Sequence, residues 1–177
     1  MAIDIVSRAI EDMIKIKELI DKSNSILMQC NLKPDADGAG IARRSKDLPQ
    51  LVYTIGLVPS LIFYMSKSEE KTYKTILEYL NQSKINESSI CECRNNRCSK
   101  KDLANELGKG EGAGYTTLLA LSTRYLLDEK YLNNIDDFKK LAENLNNLRK
   151  NNEAIASDKL VEYLVQIKRL SEAFFGE

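Results

Sequence analysis

This 177-residue sequence predicts an all-α fold, a compact bundle of about six or seven helices, and three observations carry that prediction. Apolar residues recur at steps of three and four through most of the chain, as the buried stripe of a helix requires. No segment shows the strict alternation that marks a half-buried strand. The composition, 43% hydrophobic and 29% charged, is ordinary for a globular protein. At this length it predicts a single helical domain over residues 1–177, large enough to bury a core.

Residues 2–30 read as one long amphipathic helix whose inner face runs Val6, Ile10, Met13, Ile16 or Lys17, and Ile20. NLKPDADGAG, residues 31–40, breaks it with Pro34, Gly38 and Gly40. From Ile41 the pattern resumes, with Ile41, Leu48, Val52 and Ile55 on one face. The stretch LPQLVYTIGLVPSLIFYMS, Leu48 to Ser66, carries no charge over nineteen residues. It approaches the length of a membrane span, but Gln50, Thr54, Ser60 and the breakers Pro49, Gly56 and Pro59 argue against one. The reading is two short helices meeting at Gly56, buried or at an interface, with Leu57, Leu61 and Phe63 inside. Lys67 follows at a helix end, where a cation suits the dipole.

Residues 69–82 form the next helix, with Tyr73, Ile76, Leu77 and Leu80 as its stripe. Residues 83–114 are rich in Asn, Ser, Cys and Gly and read as a flexible loop or insertion, with a short helix at DLANEL. Helices return at 115–128, 135–149 and 157–175. In the last, Leu160, Leu164, Ile167, Ser171 and Phe174 point inward, while Glu162, Gln166 and Arg169 face out.

The composition narrows the function. There is no His, which removes the commonest general acid–base and metal ligand, so no enzyme is expected. Lys+Arg and Asp+Glu balance at 26 each, so any nucleic-acid affinity must come from a local patch. Aromatic residues are 7% and Trp is absent, which disfavours base-stacking platforms. The start, MAIDIVSRAIEDM, has charges spread among its apolar positions and is no signal peptide, so the expected location is the cytoplasm.

CECRNNRC places Cys91, Cys93 and Cys98 close together. Three cysteines in C-x-C-x4-C fall one short of a zinc site, and Cys30 is distant in sequence. A disulfide such as Cys91 to Cys98 is the other pairing, as in intracellular proteins of some hyperthermophiles. Free thiols in a polar loop, with no metal and no cofactor, are the expected state. GKGEGAG, Gly108 to Gly114, lacks the order of a phosphate-binding loop and no strand precedes it, so it reads as a hinge. Three basic clusters stand out: Arg43, Arg44 and Lys46; Arg94, Arg97, Lys100 and Lys101; and Lys168 with Arg169. Charge runs of this kind are usually solvated helix faces, and Lys168 has Glu172 one turn away to pair with.

The stretch RRSKDLPQLVYTIGLVPSLIFYMSK, Arg43 to Lys67, resembles the signature of the small helical subunit of type III-B CRISPR effector complexes, the Cmr small subunit. Leu48-Pro49, Gly56-Leu57, Phe63 and Ser66-Lys67 follow that family's order and spacing. Gln166-Ile167-Lys168-Arg169-Leu170-Ser171-Glu172 is similar to its closing string, with Gln166 where the family has Trp. The likeness covers the first eighty or so residues and the last twenty, and leaves 83–114 as a lineage-specific insertion. It implies an all-α, non-catalytic subunit whose partners are other Cmr effector subunits, further copies of itself, and crRNA or target RNA, with no membrane and no small-molecule substrate. On that implication the RNA-binding surface is Arg43, Arg44, Lys46, Lys67, Lys168 and Arg169. Such residues would position a nucleic-acid backbone, with sequence read by base pairing. The alternative is a helical protein–protein scaffold without RNA contact.

Overall fold

The computed structural model describes residues 4–95, 97–98 and 101–176. Its elements are α1 (Ile5–Gln29), α2 (Ala39–Ile55), α3 (Leu57–Ser66), α4 (Glu70–Gln82), a single 3-10 turn (Glu87–Ser89), β1 (Cys93–Arg94), β2 (Arg97–Cys98), α5 (Asp102–Glu106), α6 (Tyr115–Asp128), α7 (Phe138–Asn151) and α8 (Glu153–Phe175). The described residues thus form an all-α bundle of eight helices, and the five-residue α5 is the DLANEL segment. Among them no helix is long and apolar enough to cross a membrane.

Side chains start three of the helices. Asp4 accepts from the Ser7 amide at 3.0 Å, Glu69 from the Lys71 and Thr72 amides at 3.0 and 2.6 Å, and Asp137 from the Lys140 amide at 2.7 Å. The α2–α3 break falls at Gly56, whose φ of 95° an L side chain rarely adopts. Helical hydrogen bonds run up to the break and resume after it: the Gly56 amide donates to the Val52 carbonyl and the Ser60 amide to the Gly56 carbonyl, at 3.0 and 3.3 Å.

The helix at the centre of the bundle is α6. It buries Leu118, Leu119, Leu121 and Leu126, and on its other sides Thr116, Thr117, Ser122 and Thr123. Two of these polar side chains find partners close by, Thr117 at Glu106 and Ser122 within its own helix. Ser122 Oγ donates to the Leu118 carbonyl one turn back, at 2.7 Å. The uncharged stretch at 48–66 is less central than its composition predicts. Its second helix buries Leu57, Val58, Leu61 and Tyr64 but leaves Ile62 and Phe63 exposed, Phe63 by 41%. Phe174, expected inside, is also exposed.

In α1 the helix is as expected but its buried stripe is rotated. Ala9, Met13, Ile16, Leu19, Ile20 and Leu27 face the core, whereas Val6 and Ile10 lie in solvent. The same face buries Asp12, 0% exposed, which an apolar pattern assigns to the outside. Its carboxylate pairs with Arg124 of α6 and accepts from Tyr163 of α8 at 2.7 Å. Tyr163 stacks on Tyr125 with ring centroids 4.5 Å apart, and Arg124 and Arg8 both reach Asp128. A buried acid is tolerable where it is paired and hydrogen-bonded, and here one acid ties three helices together.

The described residues between 83 and 114 anchor on the bundle. Ile90, Leu103, Ala104 and Leu107 are buried in the main core. The glycine-rich turn at 108–114 is held by the start of α2, with the Gly38 amide donating to the Leu107 carbonyl and the Gly40 amide to the Gly108 carbonyl, at 2.8 and 2.9 Å. A Cβ on Gly40 would strike Ala113 and the Gly108 carbonyl. These glycines therefore permit close approach of two backbones, which is a different use from the hinge expected.

Candidate nucleic-acid interface

Helices α2 and α8 lie antiparallel and pack along their length. Phe175 sits against Gly38 at one end, Lys46 reaches Glu172 at 3.7 Å, and Glu153 accepts from the Val58 amide at 3.0 Å at the other end. The pairing brings the two ends of the sequence's basic pattern onto one edge. Glu172 pairs with Lys46 of α2 and lies one turn along α8 from Lys168 and Arg169. Arg169 and Lys46 are exposed and Lys168 is half-buried. The Lys168–Glu172 pair anticipated along α8 does not form: Glu172 turns to Lys46 instead.

Arg43 and Arg44 do different work. Arg43 donates to the Lys109 and Gly110 carbonyls at 2.9 and 3.1 Å, and Arg44 to the Glu111 carbonyl at 2.6 Å. Arg44 also pairs with Asp47 at 3.3 Å and lies 4.2 Å from the centre of the Tyr115 ring, so its side chain is only 16% exposed. Together the two arginines clamp the 108–114 turn onto α2. Arg43 remains exposed and Arg44 is largely enclosed.

Lys67 stands apart from the α2–α8 edge. Its amine lies 5.8 Å from the centre of the Phe63 ring, beside a cleft of about 260 Å³ walled by Glu69, Asp102, Glu106 and Thr116. Three carboxylates there oppose a phosphate. Glu106 is the unusual member: it is 7% exposed, and burial pushes its carboxyl up to about 7. It accepts from the Thr117 amide and hydroxyl at 2.8 and 3.0 Å, capping α6 from outside the helix. Of the loop cluster, Arg94 and Arg97 are exposed and face one another across β1–β2, Lys101 is half-buried, and Lys100 lies outside the described residues.

The six residues therefore fall into three groups. Lys46, Lys168 and Arg169 form a shared edge, Arg43 and Arg44 hold a turn, and Lys67 is separate. Fixed cations on the shared edge can neutralise backbone phosphates without reading bases. Sequence reasoning missed the turn that engages the arginines, because backbone carbonyls leave no trace in composition. It also set Cys30 aside for its distance along the chain, yet its Sγ lies 3.6 Å from that of Cys91. The cysteines are not separate thiols in a loose loop: the sulfur of Cys30 meets that of Cys93, and the sulfur of Cys91 meets that of Cys98. The Cys91–Cys98 pairing was named from sequence, while the even count of four cysteines was the unused signal for the other.

No protein-family model, no curated protein and no solved structure matches this chain.

Proposed function

We propose that this chain is a non-catalytic small subunit of a type III-B CRISPR RNA-targeting effector complex. It stacks with further copies of itself beside the other Cmr effector subunits, and it helps hold guide or target RNA on the basic edge of α2 and α8. The observation that carries the reading is the adjacency of its two family-like stretches. Residues 43–67 and 166–172, separated by about a hundred residues, pack side by side through α2 and α8. Stacking is supported by apolar surface left uncovered on different elements. Val6, Ile10 and Ile14 line the outside of α1, and Tyr53, 88% exposed, rims a groove of about 880 Å³ between the α2–α3 corner and α8.

The scaffold reading without RNA contact has its own support, since Arg43 and Arg44 are engaged by the chain's own backbone. A salt titration separates the two. Each phosphate neutralised contributes about 0.7 to the salt slope for a single strand. An isolated copy has few such charges and binds RNA weakly; aligned copies gain avidity. Lys46→Ala, Lys168→Ala and Arg169→Ala together should flatten the slope of target-RNA capture by the rebuilt complex by up to about 2 per subunit engaged, equally for unrelated sequences. Normal incorporation with unchanged slope and affinity would leave the scaffold reading standing. Arg43 and Arg44 are unsuited to this test, because replacing them releases the 108–114 turn.

A further inference from the structure

All four cysteines of the chain meet at one place. Cys30 caps the end of α1, Cys91 follows the 3-10 turn, and Cys93 and Cys98 are direct partners across the β1–β2 ribbon. Cys30 and Cys91 are buried, Cys98 is half-buried and Cys93 is exposed. The sulfurs of Cys30, Cys91 and Cys93 all lie within 4.8 Å of one another, and the sulfur of Cys98 meets that of Cys91.

We propose that Cys30, Cys91, Cys93 and Cys98 are the four thiolate ligands of one structural zinc-class ion, which fastens the ribbon segment to the end of α1. A tetrahedral centre with Zn–S bonds of about 2.3 Å has its sulfurs about 3.8 Å apart along each edge. Cys30 and Cys91 are held at 3.6 Å, and Cys91 and Cys93 at 3.8 Å. Two disulfides have no need to be neighbours, whereas here three of the four sulfurs lie within 4.8 Å of one another and the fourth, that of Cys98, adjoins Cys91.

The ribbon also needs such a fastening. It has two residues in each strand, and an isolated two-stranded ribbon is marginal even at greater length. Arg94 and Arg97 stand directly opposite each other, which sets like charge against like charge. An ion bound by Cys93 and Cys98 closes the ribbon at its base, Cys91 fixes the approach to it, and Cys30 anchors the whole to the bundle. With four protein sulfurs the coordination shell is complete, which marks a structural rather than a catalytic centre. Binding exchanges charge without redox change: four thiols release four protons as one divalent cation enters. The resulting net charge of minus two is flanked in sequence by Arg94, Arg97 and Lys101.

The test uses the full chain, purified under reductant and dialysed against Zn²⁺ and then against buffer. The proposal expects one zinc per chain by elemental analysis, retained through gel filtration. Exchange with Co²⁺ should give the intense visible absorption of tetrahedral cobalt with thiolate charge-transfer bands. Cys93→Ser alters an exposed side chain, so helicity and the main unfolding transition should stay as they are. Zinc affinity should nevertheless fall by more than about 100-fold, beyond the 10–100-fold loss that follows removal of an outer-sphere partner. A reduced chain that retains no zinc would overturn the proposal. So would a folded chain that keeps an intact mass four hydrogens short through that reduction, showing two disulfides. Zinc held equally well by Cys93→Ser and Cys30→Ser would overturn it too.

Discussion

Glu106→Gln should remove a pH dependence of stability that the wild-type chain shows between about pH 4.5 and 7. Glu106 is 7% exposed, and burial raises its carboxyl from 4.5 to about 7 despite the hydrogen bonds it accepts from Thr117. A raised carboxyl favours the neutral form in the folded state. Its contribution is fully present below pH 4.5 and is lost as pH rises through 7, where the folded protein must bury a charge that the unfolded chain carries in water. At 1.36 kcal/mol for each tenfold in proton affinity, the loss is about 3 kcal/mol. The window is unusually clean, because the chain has no His to titrate within it. Asp4, Glu69 and Glu70 have carboxyls held below their usual value by hydrogen bonds to Ser7, Thr72 and Lys74, although burial works the other way at Glu69. Their contributions are present above about pH 4.5 and are lost only as pH falls further. Urea unfolding at pH 5, 6, 7 and 7.5 measures the effect. Wild type should weaken steadily across the series. Glu106→Gln keeps an acceptor for Thr117, carries no charge, and should stay level. A level wild type, or a variant with the wild-type slope, would refute the reasoning.

Leu61 is fully buried, so Leu61→Ala should cost about 2–5 kcal/mol in denaturant unfolding, while Phe63→Ala on the same helix should cost far less because Phe63 is 41% exposed. Asp12→Ala leaves Arg124 enclosed without its main partner and should cost about 3–5 kcal/mol. Tyr163→Phe removes one hydrogen bond to the same carboxylate and should cost about 1–3 kcal/mol. Arg44→Ala should raise amide exchange across residues 108–114 before it affects α6, since Arg44 holds the Glu111 carbonyl and stacks on Tyr115.

Periodicity alone located most of the helices. The stripe Tyr73, Ile76, Leu77 and Leu80 of α4 is buried as spaced, and α6 runs over 115–128 as expected. The Gly56 break was legible because glycine there relieves a backbone that other residues resist. What pattern could not show is where polar groups find partners at long range. Asp12 reads as a solvent-facing acid until Arg124 and Tyr163 arrive from more than a hundred residues away. In the same way Thr116, Thr117, Ser122 and Thr123 disguise α6, the most enclosed helix, as half-polar. The basic edge was partly legible: the residues of α2 and α8 were singled out, but the engagement of Arg43 and Arg44 depends on a turn whose contacts are backbone carbonyls. The stretch 83–114 reads as a loop because its described residues are placed by a few buried anchors, Ile90, Leu103 and Leu107, and by four cysteines meeting across the fold.

The most direct test of the functional proposal is affinity purification of this chain from its native host under low salt, with the bound proteins and RNA identified together. The proposal predicts that large effector subunits and a short guide RNA purify with it in fixed proportion, and that RNA is lost as salt is raised. Recovery of the chain with protein partners but no RNA at any salt would contradict it in favour of the scaffold. Recovery of the chain alone would contradict both.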